Sequence, residues 1–410
     1  MNYASLCLLI PAAALAANTD VTGVTYTKDV APILMNRCVG CHRTGEAAPM
    51  AFTSYKETRP WAKAIKSAVV TRKMPVWLAD PAHGVFSNDR RLSTQEIATI
   101  SSWVDAGAPE GDSKLTPTMP AFPDGWNIGK PDQIFDMGAD FNVPKEGVIP
   151  YKYYTVETNF TEDKWVEAAE IRPSERGVVH HVIVTVIEPG ATPGQRGEGG
   201  AGNLLTGFAP GEQPLLFEPG TAKLIRAGSK LRFQQHYTPN GKEATDRTML
   251  ALRFARQAPK WQAITGNALN FSFKIPANTD NYEVKSSFTA KKEIDIVGFM
   301  PHMHVRGKDF NYTIVYPDGR SEVVLSVPKY DFNWQLAYEM VKPIHLTEGT
   351  RIDCVAHYDN TANNKYNPNP NQDVKWGDQT WEEMMIGWFT YTVPYAPKPG
   401  VEAANKAGAE

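Results

Sequence analysis

Two thiols three positions apart, followed directly by an imidazole, stand near the start of this chain as Cys38-Val39-Gly40-Cys41-His42. Cys-x-x-Cys-His is the attachment sequence of a covalent c-type haem: each thiol adds to one vinyl group of a porphyrin, and His42 reaches the iron from the proximal side. Much the larger part of the 410 residues lies beyond any haem unit, so the chain is expected to do more than carry electrons.

A second set of metal-binding residue types lies far downstream. His180-His181 stand in VVHHVIV, His236 in FQQHYTP, His302 and His304 in FMPHMHVRG, and Met384-Met385 in WEEMMIGWF. Side chains at i and i+2 of a strand face the same way, so His302 and His304 can share one ion. Adjacent His180 and His181 would point apart on a flat strand and can meet at one ion only if the strand twists or different ring nitrogens bind. Two three-ligand groups follow, His180/His181/His236 and His302/His304/Met384, with Met385 the alternative to Met384. Imidazole with thioether favours copper, because soft sulfur suits Cu(I) while nitrogen also accommodates Cu(II). His83, His345 and His357 find no partners by spacing and read as solvated loop residues.

Residues 5–17, SLCLLIPAAALAA, have the apolar character of a secretory signal, with Ala14-Leu15-Ala16 as the cleavage site, although no Lys or Arg precedes them. Export to the periplasm or beyond is therefore expected. Of the 4 cysteines, Cys7 leaves with the signal, Cys38 and Cys41 go to haem, and Cys354 is left alone, so the mature fold must rest on cores and metals rather than on disulfides. The net charge of -3, with both signs mixed, argues against nucleic acid as a partner. No apolar run approaches the roughly 18 residues that a membrane span needs.

The positioning elements change character along the chain. Residues 18–112 predict a small helical haem unit: TYTKDVAPILMNRC and RPWAKAIKSAVVTR have helical apolar spacing. Ser93 and Thr94 precede a further helix, where Glu96 or Gln95 can complete a capping box and which Gly107 stops. Residues 113–135 are a proline-rich linker. Beyond it lie short strands separated by Gly, Pro and Asn-Asp clusters, the texture of antiparallel sandwiches, predicted over 136–260 and 261–394. The loop at 190–202 is polar, and the tail at 395–410 has nothing to bury.

Residues from about 135 to 394 resemble the copper type II, ascorbate-dependent monooxygenases, the family of peptidylglycine hydroxylating and dopamine β-monooxygenases. The resemblance is carried by HH at 180–181, GFAPG at 207–211, LRFQQHY ending at His236 and Tyr237, HMH at 302–304 and EEM at 382–384. It implies two packed antiparallel jelly-roll sandwiches. It implies that His180, His181 and His236 bind an electron-supplying copper, while His302, His304 and Met384 hold the copper where O2 binds and substrate is hydroxylated. Residues 18–112 resemble a class I-like cytochrome c, with KMPVW at 73–77 similar to the distal-methionine segment. That makes Met74 the expected second axial ligand, with Met35 and Met50 as competitors.

Three departures shape the expected substrate. Peptide-hydroxylating members carry an Arg two residues before His-x-His and a Tyr four residues after the ligand methionine; this chain has Met300 and Trp388. Cys354 matches a family cysteine whose disulfide partner would fall at Met385. The resemblance thus implies one c-type haem, two coppers, O2, an external electron donor and a neutral or largely apolar organic substrate, not a peptide ending in glycine. The rival expectations are a non-catalytic redox or copper-handling protein and a haem peroxidase, which would need an open distal position.

Overall fold

The computed structural model describes residues 23–46, 48–122, 125–191 and 203–396. The expected signal, most of the 190–202 loop and nearly all of the tail lie outside the described residues. Strands dominate, and the sheets face one another around two large apolar clusters.

The α-helices Ala31–Arg37, Tyr55–Thr58, Ala62–Val70 and Thr94–Asp105 all belong to the first part of the chain. Their apolar stripes bury Leu34, Ile65, Val69, Ile100 and Trp103 in a separate small cluster. The last helix starts at the capping box read from sequence: Ser93 Oγ accepts from Glu96 N, and the Glu96 carboxylate accepts from Ser93 N. It stops before Gly107, whose φ of +87° favours a residue without Cβ.

This unit is not self-contained. Between its third and fourth helices the chain leaves, and Val76, Trp77 and Phe86 bury themselves in the cluster of the last sheets. Trp77 and Phe86 pack on Tyr338 at ring separations of 4.9 and 5.5 Å. The backbone joins in, with Ser87 N donating to Glu339 O (2.8 Å) and Val341 N to Val85 O (3.0 Å). Burying two large aromatics outweighs completing a compact helical bundle.

One four-stranded sheet contains Lys152–Glu157, Lys230–Tyr237, Val179–Ile187 and Leu204–Phe208; another contains Tyr282–Thr289, Arg351–Tyr358, Gly307–Val315 and Ser321–Val327. A nine-stranded sheet backs both. The expected boundary at 260/261 is bridged within it, because Trp261–Leu269 pairs parallel with Thr221–Ile225 and antiparallel with Ile386–Pro394. In Arg351–Tyr358 alternate residues Ile352, Cys354, Ala356 and Tyr358 are buried, the period-two pattern of a strand with one face on a core. Trp261–Leu269 and Tyr338–Leu346 escape a reading by alternation. In the first, Gly266 is required because the Phe389 ring occupies the space a Cβ would take. The linker ends earlier than expected, since Gln133–Asp136 pairs with Met249–Leu252 as an edge strand. Among the described residues no helix is long and apolar enough to cross a membrane.

Candidate metal centres

Strand Val179–Ile187 pairs with Lys230–Tyr237 so that Val179 faces Tyr237 and His181 faces His236, leaving His180 as an extra residue. This bulge turns two adjacent histidines toward one point, which a flat strand forbids. Potential ligand atoms of His180, His181 and His236 lie within 4.8 Å of one another. His180 Nδ1 and His181 Nδ1 are 3.1 Å apart; two ring nitrogens at this spacing share either a proton or a cation. His180 Nε2 donates to Asn333 Oδ1 (3.2 Å) and His236 Nε2 pairs with the Thr380 hydroxyl (3.3 Å), so both rings turn Nδ1 inward. His236 Nδ1 is buried without a partner. Burial, followed by the charges of His180 and His304, pushes His236 down to about 2, so its imidazole is neutral and fit to ligate.

The second group is built where strand Ile294–His302 ends. His302 and His304 project to one side, while Met303 between them is buried in the core. The Tyr330 hydroxyl accepts from Met303 N (3.1 Å) and donates to Met303 O (2.8 Å), pinning the backbone between the two histidines. Every residue of Glu382-Glu383-Met384 serves this site. Glu382 O accepts from His304 Nδ1 (3.1 Å). The buried Glu383 carboxylate accepts from the backbone N–H of His304 (2.8 Å) and of Arg306 (2.7 Å). Met384 lines a cavity of about 20 Å³ with His302, His304 and Tyr151. Met385 points the other way, into the core, with its sulfur 3.1 Å from the Ser286 hydroxyl. His302 Nδ1 donates to Gln335 Oε1 (2.6 Å). Both rings therefore present Nε2, and His304 Nε2 is buried without a partner. Burial pushes His302 down to about 4 and His304 to about 3.

One loop touches both groups. The Phe332 ring stacks on His180 at 4.9 Å and lies 5.8 Å from His304. Gln335 sits between His302 and His181, with its Nε2 3.4 Å from His181 Nδ1. Asn333, Gln335, Phe332 and Thr380 carry no sequence signal of this role, since they stand in loop stretches without helical or strand periodicity.

Cys38 and Cys41 are free thiols. His42 Nδ1 donates to Met50 O (3.1 Å) and its ring stacks on Phe52 at 4.3 Å, leaving Nε2 available. Burial pushes Cys38 up to about 12. Burial also raises Cys41, on which the charges of Arg90, Glu46, Arg43 and Arg176 all act. Met74 packs against the cluster of the last sheets, whereas Met35 and Met50 pack with the helical cluster. Cys354 is a free thiol buried beside Gly387. His345 and His357 stand on strands rather than loops, bonded to Asp295 (2.9 Å) and Asp309 (2.7 Å).

A cavity of about 620 Å³ opens beside the two groups. His181, His302 and Gln335 line it together with Ile183, Phe208, Phe299, Met300 and Trp388. Met300 and Trp388 are register partners on adjacent strands, so both side chains fall on one patch of its wall. Arg306 is not free to place its charge there. It is buried, with Nε donating to Asn360 Oδ1 (2.9 Å) and Nη1 to Trp381 O (3.0 Å).

No family model and no curated protein matches this chain. Among solved structures, the major capsid protein P2 from bacteriophage PM2 aligns over 63% of this chain and 98% of its own, at 10% identity and a TM-score of 0.26. A structure of allantoicase aligns over 53% of this chain and 79% of its own, at 10% identity and a TM-score of 0.17. The tandem CBM22 domains of Paenibacillus barcinonensis Xyn10C align over 67% and 95%, at 8% identity and 0.16. Similarity at this level transfers neither fold nor function.

Proposed function

We propose that this chain is an exported haem–copper monooxygenase, in which a cytochrome c-like unit supplies electrons to a two-copper module of two jelly-roll sandwiches. The observation that carries the reading is the convergence of five buried or half-buried histidines from distant strands, with ring nitrogens left without protein partners. Orphaned buried nitrogens are costly unless something else satisfies them, and neutral imidazoles with a thioether alongside suit copper.

Copper held there supplies one-electron chemistry on O2 and, with two electrons from outside, hydroxylation of a C–H bond. The protein's own groups do the rest. Asn333, Thr380, Gln335 and Glu382 O orient the rings. Glu383 and Tyr330 fix the backbone that carries His302 and His304. The large cavity takes the substrate, and its Met300–Trp388 wall favours a neutral, largely apolar molecule. Cys38, Cys41 and His42 hold the haem.

Metal analysis with an optical spectrum of the reduced protein tests both cofactors. About two coppers per chain and a haem that resists acid-acetone extraction are expected. An extractable haem, or binding that survives both His236→Ala and Met384→Ala, would overturn the assignment. Oxygen uptake linked to substrate oxidation separates the enzyme from a metal-binding electron carrier.

A further inference from the structure

The charged groups around the Cys38–His42 loop reach beyond the helical unit. Arg43 Nη2 donates to Glu46 Oε1 (2.7 Å), and the other Glu46 oxygen accepts from Arg176 Nη1. Arg176 lies in the loop entering strand Val179–Ile187, four residues before His180. The side chains of Arg176 and Glu46 are only 20% and 17% exposed, so water screens this pair far less than a surface pair. A second strut runs alongside, since Arg90 Nη1 donates to Gly211 O (2.7 Å). The helical unit is also clamped to the opposite sandwich by the backbone bonds of Val85 and Ser87 and by Asp80 N donating to Ser326 O (2.8 Å). The Cys-x-x-Cys-His loop is thus a fixed neighbour of the His180 strand, not a tethered visitor.

We propose that the Glu46–Arg176 pair is the junction across which a haem held by Cys38, Cys41 and His42 passes electrons to copper held by His180, His181 and His236. The inference rests on the haem and copper reading above. In the step, one electron leaves ferrous haem and reduces Cu(II) to Cu(I); no bond forms or breaks and no proton moves. Glu46 and Arg176 are positioning residues. They hold donor and acceptor at one separation, on which the rate of electron passage depends steeply, while Arg43 fixes the Glu46 carboxylate from the haem side.

The experiment uses the full chain with haem and copper bound, without oxygen. The haem is reduced by a light pulse, and its return to the ferric state is followed through the loss of the ferrous absorption band. Arg176→Ala and Glu46→Ala should each slow that return by tenfold or more, with copper content and the resting haem spectrum unchanged. Arg176→Lys should keep part of the rate, and the exchanged pair Glu46→Arg with Arg176→Glu should recover most of it. Hydrogen exchange gives an independent readout: residues around 39–46 should lose protection in Arg176→Ala. Wild-type rates in both alanine variants, or an exchanged pair no faster than either single change, would overturn the junction. A wild-type protein whose bound haem never reduces its bound copper also overturns it. Failure of the wild type to bind haem or copper strikes instead at the cofactor reading on which the junction rests.

Discussion

Gln335 Oε1 accepts a hydrogen bond of 2.6 Å from His302 Nδ1, and this contact decides which nitrogen of the ring is left for a metal. The residues are 33 apart in sequence and meet because the loop after strand Ser321–Val327 folds back over both histidine groups. Removing the acceptor leaves a buried N–H unpaired and the ring free to turn. Partners of this kind are worth roughly 10–100-fold in metal affinity. Gln335→Leu should weaken copper at His302/His304/Met384 by about that factor, and more than at His180/His181/His236, where Gln335 makes only the longer 3.4 Å contact to His181 Nδ1. Titration of both sites with spectroscopic detection checks this; equal weakening of both would point to general damage.

Met384 and Met385 should separate cleanly. Met384→Ala should loosen the second copper, and because the side chain packs with Leu204, Ile386 and Trp388 it should cost stability as well. Met385→Ala truncates a fully buried side chain and should cost about 2–5 kcal/mol of stability while copper stays bound. Denaturant titration beside metal analysis reads both. The opposite pattern would shift the ligand frame by one residue.

Lys223 offers a pH signature away from the metal ligands. Its ammonium is buried and donates to Leu204 O (2.8 Å), Leu205 O (2.9 Å) and Thr265 Oγ1 (2.8 Å), with no carboxylate partner among the described residues. Burial pushes it down to about 7. Between pH 7 and the usual lysine value the unfolded chain binds the proton and the folded one does not. Stability from this group therefore rises with pH in that window, by at most ~1.4 kcal/mol per unit. The difference in stability between wild type and Lys223→Met, measured from pH 6 to 10, should grow in favour of wild type above pH 7. A flat difference would show that the amine titrates as in water.

The Met300–Trp388 wall sets the expected ligand preference. A carboxylate at this wall meets no free guanidinium, and the cavity's Lys223 amine is already bonded to Leu204 O, Leu205 O and Thr265 Oγ1. An unpaired buried charge costs roughly 2–5 kcal/mol. Calorimetry should show apolar neutral molecules binding and a C-terminal-glycine peptide failing to bind. Efficient conversion of that peptide to its α-hydroxyglycine product by copper-loaded protein would prove that another group supplies the clamp.

Much of this was legible in order along the chain. The capping box at Ser93 and the alternation in Arg351–Tyr358 are local patterns, and the structure repeats them; His302 and His304 come together although the strand ends at His302. The strand Trp261–Leu269 was not legible, because a strand covered on both faces and interrupted by Gly266 shows no alternation. Nor was the departure of Val76, Trp77 and Phe86 from the helical unit, since apolar spacing reports which residues seek burial but not against what.

The sequence by itself determined the chemical kinds: thiols beside an imidazole, histidines in apolar stretches, a methionine two residues before His302. Tertiary structure decided how they are used. The bulge that brings His180 and His181 together exists only against the strand of His236. The free nitrogen of His180 depends on Asn333, 153 residues away, and the backbone of His304 on Glu383, 79 residues away. Met384 rather than Met385 faces the histidines because the strand beginning at Ile386 is registered against His302. Ligand identity is a property of side chains, whereas ligand orientation is set by hydrogen bonds and packing between segments that no local pattern connects.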